Sequence, residues 1–409
     1  MTWQKVKISS FLKERESRIK PEEANKMGLK RLNKIDFSGI THLSDKLTNT
    51  DMILIKPGDL VISGINVEKG AVAVYQGDKD ILATIHYSAY IFDKNKIEIE
   101  YFKNFLKSRA FQDIINSQIR SGIKTELKAK HFLPLEINLP DLATQRIIRY
   151  EINLESTKIL DLEKTNNQTE SYISSLRSSI LSEAVQGKLV SQDPKDEPAS
   201  ELLKKIKAEK EKLIKEGKIK KQKALAPITD EEVPYDLPNG WEWCRLGDIC
   251  EFIYGEGLTK ENRISEGKFP VYGSNGIVGY FDKYLTDKRA IIIGRKGSSG
   301  ALNISELPNW TTDVAYYIEE KRNINFKFLF YLLKSLNLEE MGKGIKPGLN
   351  RNEAYDRTLG LPPLSEQQRI VSKVDKLMAY CDELEKQVKE NQQNTEKLME
   401  AVLKESFQD

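Results

Sequence analysis

The sequence predicts an α+β protein with a pseudo-two-fold internal repeat: two mixed α/β globular domains joined by two long helices that pack on each other. Three observations carry this. The chain matches itself at a shift of 222 residues. Near the end of each copy, apolar residues recur at alternating steps of four and three, the spacing of a helix-on-helix seam. The segments before them hold short β-branched runs between Gly and Asp punctuation, which read as strands and turns.

The repeat is densest around the helices. Ser121-Gly122-Ile123-Lys124 falls on Lys343-Gly344-Ile345-Lys346, and Leu127 falls on Leu349. Leu139-Pro140-Asp141-Leu142 falls on Leu361-Pro362-Pro363-Leu364, Gln145 on Gln367 and Ile148 on Ile370. One ungapped offset then continues to Glu183 and Glu405. Upstream the match needs small insertions. Val61-Ile62-Ser63-Gly64 resembles Ile291-Ile292-Ile293-Gly294, Gly70-Ala71 falls on Gly300-Ala301, and Trp3 pairs with Trp243.

The elements follow in order. Residues 1–140 form the first globular domain, strand-like over 51–62 and 71–92 and helical in period over 101–119. Residues 141–190 form the first long helix, with a seam of Ile148, Ile152, Ile159, Leu162, Ile173, Leu176 and Ile180. Asp141 or Thr144 offers its N-cap just after a proline. Residues 191–240 read as a connector: a polar stretch with prolines, ten lysines and four glutamates over 201–223, then Pro227, Pro234 and Pro238. Residues 241–361 form the second globular domain, turn-rich over 270–280, with a buried strand at 290–293 and a helix over 324–341. Residues 362–409 form the second long helix, capped by Ser365, with a seam of Ile370, Val374, Leu377, Leu384, Val388, Leu398 and Val402. Cys381 shares that line. The polar seam residues Asn166, Thr169, Asn391 and Thr395 fix register at some cost in stability.

Composition narrows the function. With 64 basic and 61 acidic residues the net charge is +3, too small for a polycationic nucleic-acid coat. The charge is uneven: residues 1–140 hold 23 basic and 17 acidic side chains, whereas 362–409 hold 7 and 10. Three cysteines make no disulfide scaffold and point to a reducing compartment. No apolar run is long enough to span a bilayer. The expectation is a soluble, cytoplasmic protein.

Catalytic signatures are missing. No Walker-type phosphate loop, no Asn/Asp-Pro-Pro-Tyr element and no G-x-S-x-G elbow is found. His42, His86 and His131 lack metal-ligand spacing. These absences favour a binding protein. The most suggestive local element is Gly294-Arg295-Lys296-Gly297-Ser298-Ser299-Gly300, which can bring backbone N–H groups and a guanidinium to a phosphate or a guanine edge. Tyr272-Gly273-Ser274-Asn275-Gly276 is a second such loop, with Asn275 able to read a base. The plainer reading of both is a hairpin turn with solvated charges.

At this point the residues resemble a family. Leu361-Pro362-Pro363-Leu364-Ser365-Glu366-Gln367-Gln368-Arg369-Ile370-Val371 closely resembles the segment that opens the conserved helix of type I restriction–modification specificity subunits, HsdS. Leu139-Pro140-Asp141-Leu142-Ala143-Thr144-Gln145-Arg146-Ile147 is a degraded copy, with Thr144 where the family usually has Glu. Leu237-Pro238-Asn239-Gly240-Trp241-Glu242-Trp243 and Leu246-Gly247-Asp248-Ile249 look like the opening of a target recognition domain, and 192–203 resembles the family's central spacer.

The resemblance implies two target recognition domains, each reading one half of a split, asymmetric site in double-stranded DNA. The long helices would pack antiparallel as a spacer. Two methyltransferase subunits would bind around them, and two motor/nuclease subunits would complete the enzyme. AdoMet, ATP and Mg²⁺ would belong to those partners and no cofactor to this chain, which would itself be non-catalytic. The expected DNA-contacting residues are Asn66, Lys69, Arg120, Lys124 and Lys128 in the first domain. In the second they are Tyr272, Asn275, Arg295, Lys296, Ser298, Lys343 and Lys346. A seam of 33 residues spans roughly 50 Å, about 15 base pairs of B-DNA. The rival reading is a coiled-coil adaptor with two protein-binding modules and no DNA contact.

Overall fold

The computed structural model describes residues 3–36, 39–65, 71–119, 127–217, 219, 225–342 and 348–407. The chain divides into two compact units, one of Met1–Gln168 with Val388–Asp409 and one of Thr169–Gln387.

The first unit begins with strands β1 (Gln4–Lys7) and β2 (Leu12–Glu14) and helix α1 (Pro21–Lys26). Seven strands follow: β3 (Arg31–Ile35), β4 (Thr41–Ser44), β5 (Met52–Ile55), β6 (Leu60–Ser63), β7 (Val72–Val74), β8 (Ile81–Thr84) and β9 (Tyr87–Phe92). Helices α2 (Ile99–Lys107), α3 (Arg109–Gln118) and α4 (Ala129–Phe132) and strand β10 (Glu136–Leu139) lead into the long helix α5 (Leu142–Val185). Two four-stranded sheets form, ordered β2-β9-β6-β7 and β4-β3-β8-β5, and β1 pairs with β10. Side chains of β6 are buried along its whole length, as a central strand requires. Glu98 accepts the Tyr101 N–H at 2.8 Å and starts α2; Ser108 accepts the Phe111 N–H and starts α3. Phe102, Phe105, Phe111 and Phe132 from these helices form the aromatic centre of the core, joined by Phe407 from the end of the chain.

The second unit continues with α6 (Ala199–Lys215), β11 (Glu242–Arg245), α7 (Leu246–Ile249), β12 (Ile253–Tyr254), β13 (Phe269–Tyr272) and β14 (Ile277–Phe281). Then come β15 (Ala290–Gly294), β16 (Leu302–Ser305), β17 (Trp310–Thr311), β18 (Ala315–Glu319), α8 (Phe326–Ser335), α9 (Arg351–Tyr355), β19 (Thr358–Leu361) and α10 (Leu364–Ser406). Its sheets are β12-β18-β15-β16, β14-β13-β17 and β11-β19. The first repeats the order of β2-β9-β6-β7, so β15 occupies the place of β6. The turn-rich stretch 270–280 is the β13–β14 hairpin.

Strand register corrects one sequence correspondence. Gln4 pairs with Leu139, and Glu242 pairs with Leu361, the residue 222 positions on. Gln4 therefore corresponds to Glu242, and Trp3 to Trp241 rather than Trp243. The connector also differs from expectation. Ala199, Leu202 and Ile206 of α6 are buried, and Lys210 donates to the Gly247 carbonyl at 2.8 Å. Asp196 takes the Arg369 guanidinium at 2.6 Å. The amphipathic half of the lysine-rich stretch thus packs as a helix of this unit, because its apolar residues lie on one face.

The two long helices run antiparallel. In the second unit, Arg177 of α5 bonds Asp382 and Glu385 of α10, while Gln192, past the end of α5, meets Glu366 at the start of α10. Asp141 caps α5 by accepting the Thr144 N–H at 2.9 Å. Ser365, expected to cap α10, lies inside its first turn, and the carbonyl of Pro363 accepts the Gln367 N–H instead.

Only one line of each predicted seam is closed. Gln145, Ile152, Ile159, Asn166, Ile173 and Ile180, seven apart, are buried, and so are their counterparts Gln367, Val374, Cys381, Val388 and Thr395; Val402 is half-buried. The interleaved line is buried at its first position, Ile148 or Ile370, half-buried at Leu377, and then opens. Leu162, Leu176, Leu384 and Leu398 are 41–47% exposed. Two helices touching along one line cover about one residue per heptad, so these four leucines face outward and do not close the seam. No helix among the described residues is long and apolar enough to cross a membrane.

Candidate nucleic-acid interface

In each unit the central strand ends in a loop tied back by one backbone hydrogen bond. Leu127 donates to the Gly64 carbonyl at 2.8 Å in the first, and Leu349 to the Arg295 carbonyl at 2.9 Å in the second. Leu127 and Leu349 are repeat equivalents. The tie joins the end of β6 (or β15) to the leucine three positions after the Gly-Ile-Lys segment of each copy. Of the sequence-predicted contacts, Lys128 in the first unit and Arg295, Lys296 and Ser298 in the second are described and lie next to or within a few residues of this tie in the chain. Asn66, Lys69, Arg120, Lys124, Lys343 and Lys346 themselves lie outside the described residues. Lys128 is exposed, and its carbonyl accepts the N–H groups of His131 and Phe132 at the start of α4.

The second unit shows more of its loop. β15 delivers Arg295, and the Arg295 and Lys296 N–H groups both donate to the Val314 carbonyl, at 2.9 and 3.1 Å. Lys296 and Ser298 are exposed. Gly297 and Gly300 take φ of +83° and +81°, which turn the chain back into β16. The β13–β14 turn lies against this loop. A Cβ on Gly294 would collide with the carbonyl oxygens of Ser298 and Ser274. Asn275 is exposed at the tip of that turn, held by the Gly273 N–H to Gly276 carbonyl bond at 2.9 Å. The structure thus brings Asn275, Arg295, Lys296 and Ser298 to one edge. Tyr272 is not with them. It is buried in the core beside Ala290 and Ile292, and its hydroxyl faces the Ile304 carbonyl at 3.4 Å. Its ring fills space on the inner side of β13, so its place in a contact surface is corrected to a supporting one.

Two residues that the sequence did not single out complete the edge. Tyr254, 49% exposed at the end of β12, has the Arg295 guanidinium over its ring at 5.6 Å from the centroid and that of Arg351 at 5.0 Å. Arg295 donates through Nε and Nη2 to the Asp313 carbonyl, and Arg351 through Nη1 to the Phe252 carbonyl at 3.2 Å. Tyr316 packs edge-on to Tyr254 at 4.9 Å; burial, with the Tyr254 hydroxyl beside it, pushes its phenol up to about 12. The only local hint was the Tyr254-Gly255-Glu256-Gly257 stretch, an aromatic entering a glycine-rich loop. Nothing local marks Arg351, which lies 97 positions away.

Comparison with known proteins agrees with this architecture. Residues 238–392 match the family model for the type I restriction modification DNA specificity domain. The EcoAI specificity subunit of Escherichia coli is 36% identical over 263 residues, covering 57% of this chain and 44% of that protein. The EcoEI specificity subunit of Escherichia coli is 30% identical over 300 residues, covering 64% and 49%. The chain therefore spans under half the length of either relative. The crystal structure of the HsdS subunit from Thermoanaerobacter tengcongensis shares the fold, with a TM-score of 0.57 at 17% identity over 99% of this chain and 96% of that one. A chain from a structural study of complex assembly and conformational transition of the type I R-M system aligns at a TM-score of 0.71, also at 17% identity, covering 100% and 98%. Residues 238–392 are thus similar to the type I restriction modification DNA specificity domain, and the chain as a whole shares the fold of the HsdS subunit.

Proposed function

We propose that this chain is the DNA-reading subunit of a type I restriction–modification enzyme. Each globular domain reads one half of a bipartite, asymmetric site in double-stranded DNA, and the antiparallel helices set the spacing between the halves. The observation that carries this reading is the repeated loop anchor. A similar tie, Leu127 to Gly64 and Leu349 to Arg295, follows the central strand of each unit, and the sequences there differ, Gly64-Ile65-Asn66 in one and Gly294-Arg295-Lys296 in the other. Equal scaffolds with unequal loops suit two unlike half-sites.

Methylation and cleavage belong to partner subunits in this reading. Two methyltransferase subunits dock on the long helices, where Leu162, Leu176, Leu384, Leu398, Tyr150, Tyr172 and Tyr380 are exposed. Two motor/nuclease subunits complete the assembly, and AdoMet, ATP and Mg²⁺ are bound by these partners. The complex works in the cytoplasm, on the chromosome.

The test is co-expression with the methyltransferase subunit, followed by mapping of methylated bases on genomic DNA. Exchanging Asn275 and Lys296 for alanine is expected to alter methylation at one half-site only. Inserting one heptad into α5 should lengthen the spacer of the methylated site. Intact methylation at both halves, with unchanged spacing, would overturn the assignment. The adaptor alternative predicts no salt-dependent DNA affinity, whereas phosphate contacts weaken steeply with salt.

A further inference from the structure

Most arginines that organise the second unit are neutralised. Arg177 meets Asp382 and Glu385, Arg245 meets Glu232, Arg289 meets Glu306 and Glu320, and Arg369 meets Asp196. Arg295 and Arg351 break that rule. Their hydrogen-bond partners are the uncharged carbonyls of Asp313 and Phe252, and among the described residues no carboxylate pairs with either. Yet both guanidinium groups sit over one ring, that of Tyr254. Two like charges gathered on one aromatic repel each other, and the ring and two carbonyls offset this only in part. An anion settling there would relieve the repulsion.

We propose that Arg295 and Arg351, spread on Tyr254, form a clamp for a backbone phosphate of the DNA, separate from the residues that discriminate bases. This rests on the DNA-reading assignment above. The geometry separates the two roles. Bidentate readout of guanine needs one edge of a guanidinium presented in plane to O6 and N7. The Nε/Nη2 edge of Arg295 is already spent on the Asp313 carbonyl, at 3.0 and 2.5 Å. Arg351 has Nη1 on the Phe252 carbonyl, and its Nε is buried without a partner among the described residues. A phosphate is less demanding, because its oxygens accept from several directions. Further donors lie in the same loop. The Gly297 and Ser298 N–H groups have no acceptor among the described residues, and the Ser298 side chain is exposed. Asn275, on the neighbouring turn, is left to face a base edge. Tyr254 is a positioning residue that acts through the two arginines.

The experiment uses the full chain co-purified with its methyltransferase subunit and a fluorescent duplex carrying the methylated site. Affinity is measured by anisotropy at several salt concentrations. Arg351→Ala and Arg295→Ala should each weaken binding by about tenfold. Each should lower the salt slope by about one, for the cognate duplex and for one altered in a half-site alike. Arg351→Lys should keep the slope while losing affinity, because the charge stays and the planar fork is lost. Tyr254→Phe should bind like the wild type and Tyr254→Leu like the arginine variants, with circular dichroism confirming that each is folded. An unchanged slope in Arg351→Ala, or a changed methylated sequence, overturns the clamp. A wild-type complex with no salt-dependent affinity instead overturns the DNA reading beneath it.

Discussion

Gln145 and Gln367, 222 positions apart, make the same pair of hydrogen bonds. Gln145 accepts the Glu98 N–H at 2.8 Å and donates to the Pro140 carbonyl at 2.8 Å. Gln367 accepts the Asn325 N–H at 2.9 Å and donates to the Pro362 carbonyl at 3.0 Å. Both side chains are fully buried. Glu98 and Asn325 are the N-caps of α2 and α8, so in each unit one amide locks a helix of the globular part to the first turn of a long helix. Orientation between the two helices is set here by directional bonds, where apolar packing alone would allow sliding.

Replacing Gln367 by leucine keeps the volume but strands the Asn325 N–H and the Pro362 carbonyl. Each stranded group costs about 1–3 kcal/mol, so a loss of about 2–6 kcal/mol is expected in urea denaturation. Gln367→Glu keeps the acceptor and should lose about half as much.

Asn166 has the opposite character. It is buried on the closed line of α5, and its Nδ2 has no partner among the described residues. Its repeat equivalent is Val388, an apolar residue in the same kind of place. Asn166→Val should therefore raise stability, by about 1 kcal/mol, as a higher urea midpoint with an unchanged slope.

Glu232 makes stability depend on acid. The Arg245 guanidinium, with the Thr229 N–H, holds its carboxyl down to about 2 from an ordinary 4.5. Between those values the unfolded chain binds more protons than the native one. The stabilisation is thus complete above pH 4.5 and is lost as pH falls towards 2. Thermal unfolding of Glu232→Gln should be flatter across that window than that of the wild type.

The outward leucines should separate folding from assembly. Changing Leu162, Leu176, Leu384 and Leu398 to glutamine should shift the stability of the chain alone by about 0.5 kcal/mol per site or less. Recovery of the methyltransferase subunit in a pull-down should nevertheless fall sharply.

The long helices and the repeat were legible because both are local patterns: a four-three spacing from Ile148 to Ile180, and one offset linking Gln145 to Gln367. Periodicity says which residues share a face. It does not say whether anything covers that face, which is why Leu176 and Ile173 looked alike and differ in burial. Offset matching fails where strands carry insertions, and Trp3 was accordingly set against Trp243 instead of Trp241. The Tyr254–Arg351 contact had no local trace, because the pleating of β12 against β18 and the placement of α9 create it. The packing of α6 was hidden for another reason: its lysines dominate the composition, while Leu202 and Ile206 do the packing.

The single closed line along α5 and α10 has a dynamic consequence. One buried side chain per heptad leaves most helical amides to open a turn at a time, without disturbing the sheets. Such amides should exchange with deuterium by local fraying, well before the molecule unfolds as a whole. The amides of β15, whose residues are buried from Ala290 to Gly294, should exchange only through global unfolding. Mass-resolved exchange would then show stiff sheets and supple long helices, whose amides should slow markedly once a binding partner covers the outward leucines.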